Sequence, residues 1–210
     1  MNIRLSFGIL TELLEASLDK IIGKLTVAER LHVVRCVARG LCYLHEEIPE
    51  DASKGQQQKK KPTILHRDLQ AANVLISHDL SQVKIADFGV SHILATANTP
   101  VGQPYAMAPD VLDMEEEDDN DGYTTSTDVF SFGMLVYHIL SGVLPFCKSN
   151  GEAPTNPHSV MKRFYGGQRP DEKWIRDSDC LLVQDLCGIM SVAGHTILMI
   201  DHQLMFSKNL

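Results

Sequence analysis

The segment 64–76, ILHRDLQAANVLI, constrains the fold more than any other part of the chain. Its apolar ends predict short buried strands, and the turn between them collects the polar residues His66, Arg67, Asp68 and Asn73. A carboxylate and a carboxamide five residues apart can both point into one cleft if this turn is tight. The pattern therefore indicates a loop that carries chemistry between two strands.

Composition limits the possible partners. The chain has 210 residues, enough for one substantial core or for most of a larger two-lobed domain. Its net charge of -8 argues against nucleic acid or an anionic membrane as a partner, because clustered Lys and Arg bind such surfaces and the run 59–61 is short. Five cysteines form no CxxC pair and leave one unmatched, which favours free thiols and a cytoplasmic, intracellular location. No apolar run of about 20 residues predicts a membrane span.

Two segments have helical patterns. Thr26 and Glu29 have the spacing of a capping box, and segment 126–140 is apolar on nearly every side, as in a helix buried within a domain. The apolar face of the first helix is predicted at Leu31, Val34, Ala38 and Leu41.

Short strands and two insertions complete the pattern. Strands are predicted at 7–12 and within NVLIS (73–77) and VKIAD (83–87). Segments 50–63 and 113–122 are polar or acidic and are expected to be inserted, solvated loops.

Several short motifs follow one another in a recognisable order. They are HRD at 66–68, DFG at 87–89, APD at 108–110, DVFSFG at 128–133 and LPF at 144–146. In this order and spacing the chain resembles the eukaryotic protein kinase family. The resemblance implies an α+β, protein-kinase-like fold with a mainly helical large lobe and short β-hairpins.

The resemblance also divides the chain. Residues 1–14 correspond to a remnant of the small-lobe strand and the hinge, residues 15–187 to the large lobe, and residues 188–210 to an atypical tail. The glycine-rich loop, strand lysine and helix glutamate of the family are not found ahead of the hinge. We therefore expect the small lobe to be almost entirely missing, exposed apolar surface where it should lie, and an upstream small lobe or regulatory domains in a longer parent protein. The chain alone is expected to be weakly active or inactive.

Catalytic roles follow from the resemblance residue by residue. It implies that ATP and Mg²⁺ bind and that the γ-phosphate passes to a hydroxyl of a protein substrate. Asp68 would orient that hydroxyl and accept its proton. Asn73 and Asp87 would be oxygen ligands of Mg²⁺. Gly89 would let the chain turn sharply after Asp87.

The nucleotide would lie against the segment Thr11-Glu12-Leu13-Leu14, which resembles the hinge. Thr11 would control access behind the adenine pocket, and the backbone groups of Glu12 and Leu14 would bond adenine. Leu75 would pack under the adenine ring. The alternatives are an edge strand and turn for the hinge segment, and a simple core position for Leu75.

Structural and regulatory roles are implied for other motif residues. His66 and Phe88 resemble members of an apolar column anchored by Asp128, and a structural role for His66 is favoured over acid–base work. Arg67 would pair with a phosphorylated activation segment, or else hold local backbone. Asp110 stands where the family has glutamate. The candidate phosphorylation sites are Ser91, Thr96 and Thr99.

Two neighbouring departures affect the expected activity. Gln70 replaces a lysine that helps to hold the transferred phosphate in the serine/threonine branches, and Gln103 replaces a threonine close to it. Loss of the cation weakens the stabilisation of developing charge. The spacing of VGQPYAMAPD favours serine/threonine specificity within the tyrosine-kinase-like group, and tyrosine specificity stays open.

Three functional hypotheses remain. The first is a protein kinase, supported by Asp68, Asn73 and Asp87. The second is a non-catalytic kinase-like binding or regulatory module, supported by Gln70, Gln103 and the absent small lobe. The third, a distant small-molecule phosphotransferase, does not explain MAPD or DVFSFG.

Overall fold

A computed structural model describes residues 11–46, 61–90, 92–93, 102–108, 111, 123–147, 152, 156, 159–160, 162–163 and 166–171. Several predictions fall outside these residues: Ser91, Thr96, Thr99, Asp110, the tail 188–210, the insertion 113–122 and most of the insertion 50–63. The strand predicted at 7–12 lies partly outside them, and its described part, residues 11–12, is not a strand.

The described elements are short strands and two long helices. The helices are α1, Val27–His45, and α2, Thr125–Ser141. The strands are β1 (Ala16–Ser17), β2 (Ile64–Leu65), β3 (Val74–Ile76), β4 (Val83–Ile85) and β5 (His92–Ile93). Single 3-10 turns occur at Leu18–Lys20, Ile22–Lys24, Ala71–Asn73 and Phe88–Val90.

Helix α1 begins as its sequence predicts. The Thr26 hydroxyl accepts a hydrogen bond from the Glu29 backbone N–H, and the Glu29 carboxylate accepts one from the Thr26 N–H at 2.7 Å. This reciprocal pair satisfies two N–H groups that the first turn leaves without helical partners. At the other end, Lys61 Nζ donates to the carbonyls of Leu44 and Glu46, which stabilises the C-terminus.

Helix α2 is buried along most of its length and packs against α1 in the main core. Arg30 joins the two helices, because its guanidinium donates to the carbonyls of Leu140 and Ile22 at 2.7 and 3.1 Å. α2 then ends at Gly142, which adopts the left-handed conformation at φ 75°. The core is formed mainly by Val33, Val34, Val37 and Leu41 of α1, Phe132, Leu135 and Ile139 of α2, and Val74 and Ile76 of β3.

Two small antiparallel sheets hold the loop that carries the polar motif. β3 lies between β1 and β4, with Val74 opposite Ile85 and Ile76 opposite Val83. β2 pairs separately with β5. The loop between β2 and β3 is therefore fixed at both of its ends. The predicted helices and the short strands at β2, β3 and β4 are confirmed.

Candidate active site

Asp128 of α2 fixes the backbone of the loop. Its side chain is fully buried, and its two oxygens accept hydrogen bonds from the backbone N–H groups of His66 (2.7 Å) and Arg67 (2.8 Å). His45, at the end of α1, places its Nε2 2.9 Å from the same carboxylate. Arg67 has φ 70°, a conformation that side chains disfavour, so these bonds hold the loop in a turn that it would not adopt alone.

His66 has a structural position. Its ring is completely buried, its Nε2 lies 3.0 Å from the carbonyl oxygen of Ala86, and its Nδ1 accepts a hydrogen bond from the Asp68 N–H at 3.4 Å. The ring of Phe88 packs edge-on against it, with 5.2 Å between centroids. With both nitrogens engaged by backbone groups, His66 links the two polar loops, and these contacts favour a structural role for its ring.

Asp68 and Asn73 are in direct contact. The Asn73 side-chain amide donates to both the backbone oxygen and the carboxylate Oδ2 of Asp68, each at 2.8 Å. Asn73 is buried within the 3-10 turn Ala71–Asn73, so its rotamer is held by packing. Both N–H bonds point toward Asp68, which leaves Oδ1 of Asn73 facing elsewhere as an acceptor.

A backbone hydrogen bond connects the segment of Asp87 to Asn73. The Ala86 N–H donates to the Asn73 carbonyl oxygen at 2.8 Å, immediately before Asp87. Asp87 is exposed, and its Oδ1 accepts a hydrogen bond from the Gly89 N–H at 3.3 Å.

The expected role of Gly89 requires a correction. Asp87, not Gly89, takes the left-handed conformation, with φ 62°. A Cβ at Gly89 would lie 3.1 Å from Oδ1 of Asp87, a tight contact that glycine avoids. The short side chain of aspartate tolerates the left-handed region better than most.

The main feature that the sequence did not reveal is the contact of Gln70. Its amide nitrogen lies 2.9 Å from both carboxylate oxygens of Asp68, and its Oε1 accepts a hydrogen bond from the Tyr105 hydroxyl at 3.1 Å. Burial raises the pKa of Tyr105 above its usual value, and the negative charges of Asp68 and Asp19 act in the same direction. The phenol is therefore protonated at neutral pH and donates the hydrogen bond to Gln70.

Gly102 brings the segment of Tyr105 close to the loop. Gly102 has φ 106°, and a Cβ there would lie 2.8 Å from the Arg67 carbonyl oxygen. Ser131 of α2 holds the same segment by donating to the Ala106 carbonyl at 2.8 Å. Gln103, in contrast, is exposed.

Arg67 contacts an aromatic ring. Its guanidinium carbon lies 4.2 Å from the centroid of the Tyr123 ring, in the range of a cation–π interaction. This contact gives Arg67 a side-chain partner that is distant in sequence and does not test whether the guanidinium holds local backbone. Its pairing with a phosphorylated residue stays a prediction, since the candidate sites lie outside the described residues.

The predicted hinge segment is largely exposed. Thr11 and Glu12 are exposed, Leu13 is 97% exposed and Leu14 is half-buried. The Glu12 carboxylate forms an ion pair with Lys84 of β4, which places the segment beside the sheet.

Leu75 lies at the centre of β3, paired with Ser17 on one side and Lys84 on the other. It is half-buried, whereas its neighbours Val74 and Ile76 are fully buried in the core. Since successive side chains of a strand point to opposite faces, Leu75 faces away from that core. This favours an apolar contact surface over a core position.

The donor set suits Mg²⁺. Asn73 Oδ1 and the exposed Asp87 carboxylate are hard oxygens, which this ion prefers, and it commonly takes only one or two carboxylates from the protein. Within the described ranges, no cluster of three His, Cys, Asp or Glu residues suits a metal. The three cysteines among them, Cys36, Cys42 and Cys147, form no disulfide with one another. None of the helices described is long and apolar enough to cross a membrane.

Comparison with known proteins gives the class. A family model described as the protein kinase domain matches residues 5–187. Because this match covers most of the sequence, the chain belongs to the protein kinase family, whose members are phosphotransferases. The predicted α+β, kinase-like fold is confirmed.

Curated relatives agree with this class. The chain is 31% identical to "Probable serine/threonine-protein kinase WNK8" of Oryza sativa subsp. japonica, over 65% of the chain and 18% of the relative. It is 38% identical to the Raf homolog serine/threonine-protein kinase of Caenorhabditis elegans, over 62% of the chain and 16% of the relative. It is 40% identical to sporulation-specific protein 1 of Saccharomyces cerevisiae, over 55% of the chain and 20% of the relative. The chain thus spans at most about a fifth of the length of these relatives.

Proposed function

We propose that this chain provides the large-lobe part of an active site that transfers the γ-phosphate of ATP to serine or threonine hydroxyls of proteins. One observation carries the proposal: the Asn73 amide holds the Asp68 carboxylate at 2.8 Å, and the Ala86–Asn73 backbone bond brings Asp87 beside them. Two acids and an amide with these partners suit metal-assisted phosphoryl transfer. The serine/threonine-kinase names of the relatives favour that hydroxyl class.

Asp68 acts as the base in this proposal. A substrate hydroxyl would donate to its carboxylate and pass its proton there as the new P–O bond forms and the bond to ADP breaks. Asn73 holds the carboxylate in one orientation, and Asp128 fixes the backbone that carries it. Preorganised groups of this kind spare the reaction the cost of ordering them.

Asn73 and Asp87 are the proposed Mg²⁺ ligands. The ion neutralises phosphate charge when it is bound. For that purpose the chain offers Asn73 Oδ1, turned away from Asp68, and Asp87, held in a left-handed turn beside the space that Gly89 leaves. The adenine would contact Leu75 and the predicted hinge segment, through Glu12 and Leu14.

A transfer assay tests the proposal. The chain is incubated with Mg²⁺, labelled ATP and peptide pools that contain only serine, only threonine or only tyrosine acceptors. Asp68→Asn should abolish labelling, whereas Glu46→Gln, an exposed carboxylate near the end of α1, should leave it unchanged. Labelling that survives Asp68→Asn would remove Asp68 as the base, and labelling of tyrosine alone would correct the hydroxyl class.

A second function is favoured by Gln70. Its neutral amide contacts both oxygens of Asp68, in place of the lysine cation, which should lower the rate of transfer. A non-catalytic kinase-like binding module is therefore the alternative. Isothermal titration with ATP and Mg²⁺ separates the two, because nucleotide binding without peptide labelling would favour the module.

A further inference from the structure

The Gln70 side chain bridges two elements that are far apart in sequence. On one side it contacts both carboxylate oxygens of Asp68, and on the other it accepts a hydrogen bond from Tyr105. Gln70 is half-buried, as is Tyr105, so the bridge is partly shielded from solvent.

The chemistry of its partners fixes the orientation of this amide. An ionised carboxylate accepts hydrogen bonds and cannot donate, so the NH₂ group of Gln70 must face Asp68. Its Oε1 then faces the phenol of Tyr105, which is protonated at neutral pH and whose pKa burial raises further. In this series of hydrogen bonds, Tyr105 orients the Gln70 amide and Gln70 orients the Asp68 carboxylate.

The equal distances show how Gln70 acts on the carboxylate. Its amide nitrogen lies 2.9 Å from both oxygens of Asp68, and the Asn73 amide lies 2.8 Å from one of them. Together these contacts restrict rotation of the carboxylate about its bond to Cβ.

We propose that Gln70 positions Asp68 for phosphoryl transfer, with Tyr105 acting through Gln70. This inference rests on the proposed function and deepens it. Gln70 supplies a neutral donor beside the base, so its contribution is geometric rather than the attraction of a full charge. Tyr105 is a positioning residue, because it contacts neither the base nor the substrate.

Kinetic variants test this arrangement. Gln70→Ala should lower kcat for peptide by about tenfold or more, because a hydrogen bond to a charged group is lost, with little change in KM for ATP. Gln70→Glu keeps the shape but lacks N–H groups and repels Asp68, so it should be at least as damaging. Gln70→Lys keeps N–H donors at this position and should be at least as active as the parent chain. Tyr105→Phe should cost about fivefold. Ala72→Ser, exposed on the same loop, is the control.

The double variant separates positioning from general damage. If Tyr105 acts only through Gln70, Tyr105→Phe should have no further effect in the Gln70→Ala background. Independent, multiplicative losses would overturn the inference. A rise in kcat in Gln70→Ala would also overturn it, since Gln70 would then obstruct Asp68.

A measurement without activity keeps the inference testable if transfer is undetectable. In ¹⁵N-labelled chain, the side-chain N–H signals of Gln70, assigned by Gln70→Ala, should shift in both Asp68→Asn and Tyr105→Phe and stay fixed in Ala72→Ser. If the Gln70 side-chain signals keep the same chemical shifts in both variants, the bridge is refuted even in an active enzyme. Shifted signals with no transfer in any variant would reject the proposed function and leave the bridge established.

Discussion

Removal of the Asp128 carboxylate tests how the loop is held. Asp128→Ala leaves the buried N–H groups of His66 and Arg67 without acceptors and takes a partner from His45. Each unsatisfied buried donor costs about 1–3 kcal/mol, so two give about 2–6 kcal/mol. Relief of the desolvation of a fully buried charge offsets part of this cost. We therefore expect a loss of about 2–4 kcal/mol, a large share of the about 5–15 kcal/mol that stabilises typical domains.

Urea unfolding followed by circular dichroism at 222 nm measures this loss. Asp128→Asn keeps one acceptor oxygen and should have an intermediate effect. Ser126→Ala, exposed on the same helix, is the matched control and should lie within about 0.5 kcal/mol of the parent chain. An Asp128→Ala variant as stable as Ser126→Ala would refute the view that this carboxylate anchors the loop.

Two further perturbations follow from the structure. Burial lowers the pKa of His138 to about 4, so the folded state favours the neutral imidazole. The resulting contribution to the free energy of unfolding is complete above the unfolded pKa near 6.5 and is lost as pH falls toward 4. Between pH 7 and 4, the urea concentration at the unfolding midpoint should therefore fall less steeply with pH in His138→Gln than in the parent chain. The same pH dependence in both chains would contradict this. Gly102→Ala should lower both the melting temperature and peptide transfer, because its Cβ would lie 2.8 Å from the Arg67 carbonyl oxygen at a φ of 106°. Gly23→Ala has no atom within 4 Å of its Cβ, and an equal loss in that variant would show that the close approach at Gly102 is unimportant.

Local patterns were sufficient to predict the elements. The capping box at Thr26 and Glu29 located the start of α1, because its contacts lie within one turn of the helix. The apolar segment 126–140 located α2, because a helix that is buried on nearly every side shows this in its own sequence. The face of α1 was predicted less well. Val33, Val37 and Leu44 are buried in addition to the predicted residues, and Leu31 is only half-buried, because the helix packs against both α2 and the strands.

Contacts between distant segments could not be predicted in this way. The bond of Tyr105 to Gln70 joins residues 35 positions apart, and no short motif signals it. The turn at Asp87 was assigned to Gly89 because glycine is the usual residue for positive φ, whereas the hydrogen bonds around Asp87 decide its conformation. Family resemblance predicted which residues lie in the loop, and the structure shows how their side chains are held.

Replacement of Mg²⁺ by paramagnetic Mn²⁺ in the presence of ATP tests whether Asn73 and Asp87 hold the metal. In ¹⁵N-labelled chain, we expect selective broadening of the signals of the Asn73 side-chain amide and the Asp87 backbone amide. This broadening should disappear in Asp87→Asn. Broadening that spares both groups and instead affects the acidic run 115–119 would contradict a metal–nucleotide site formed by Asp68, Asn73 and Asp87.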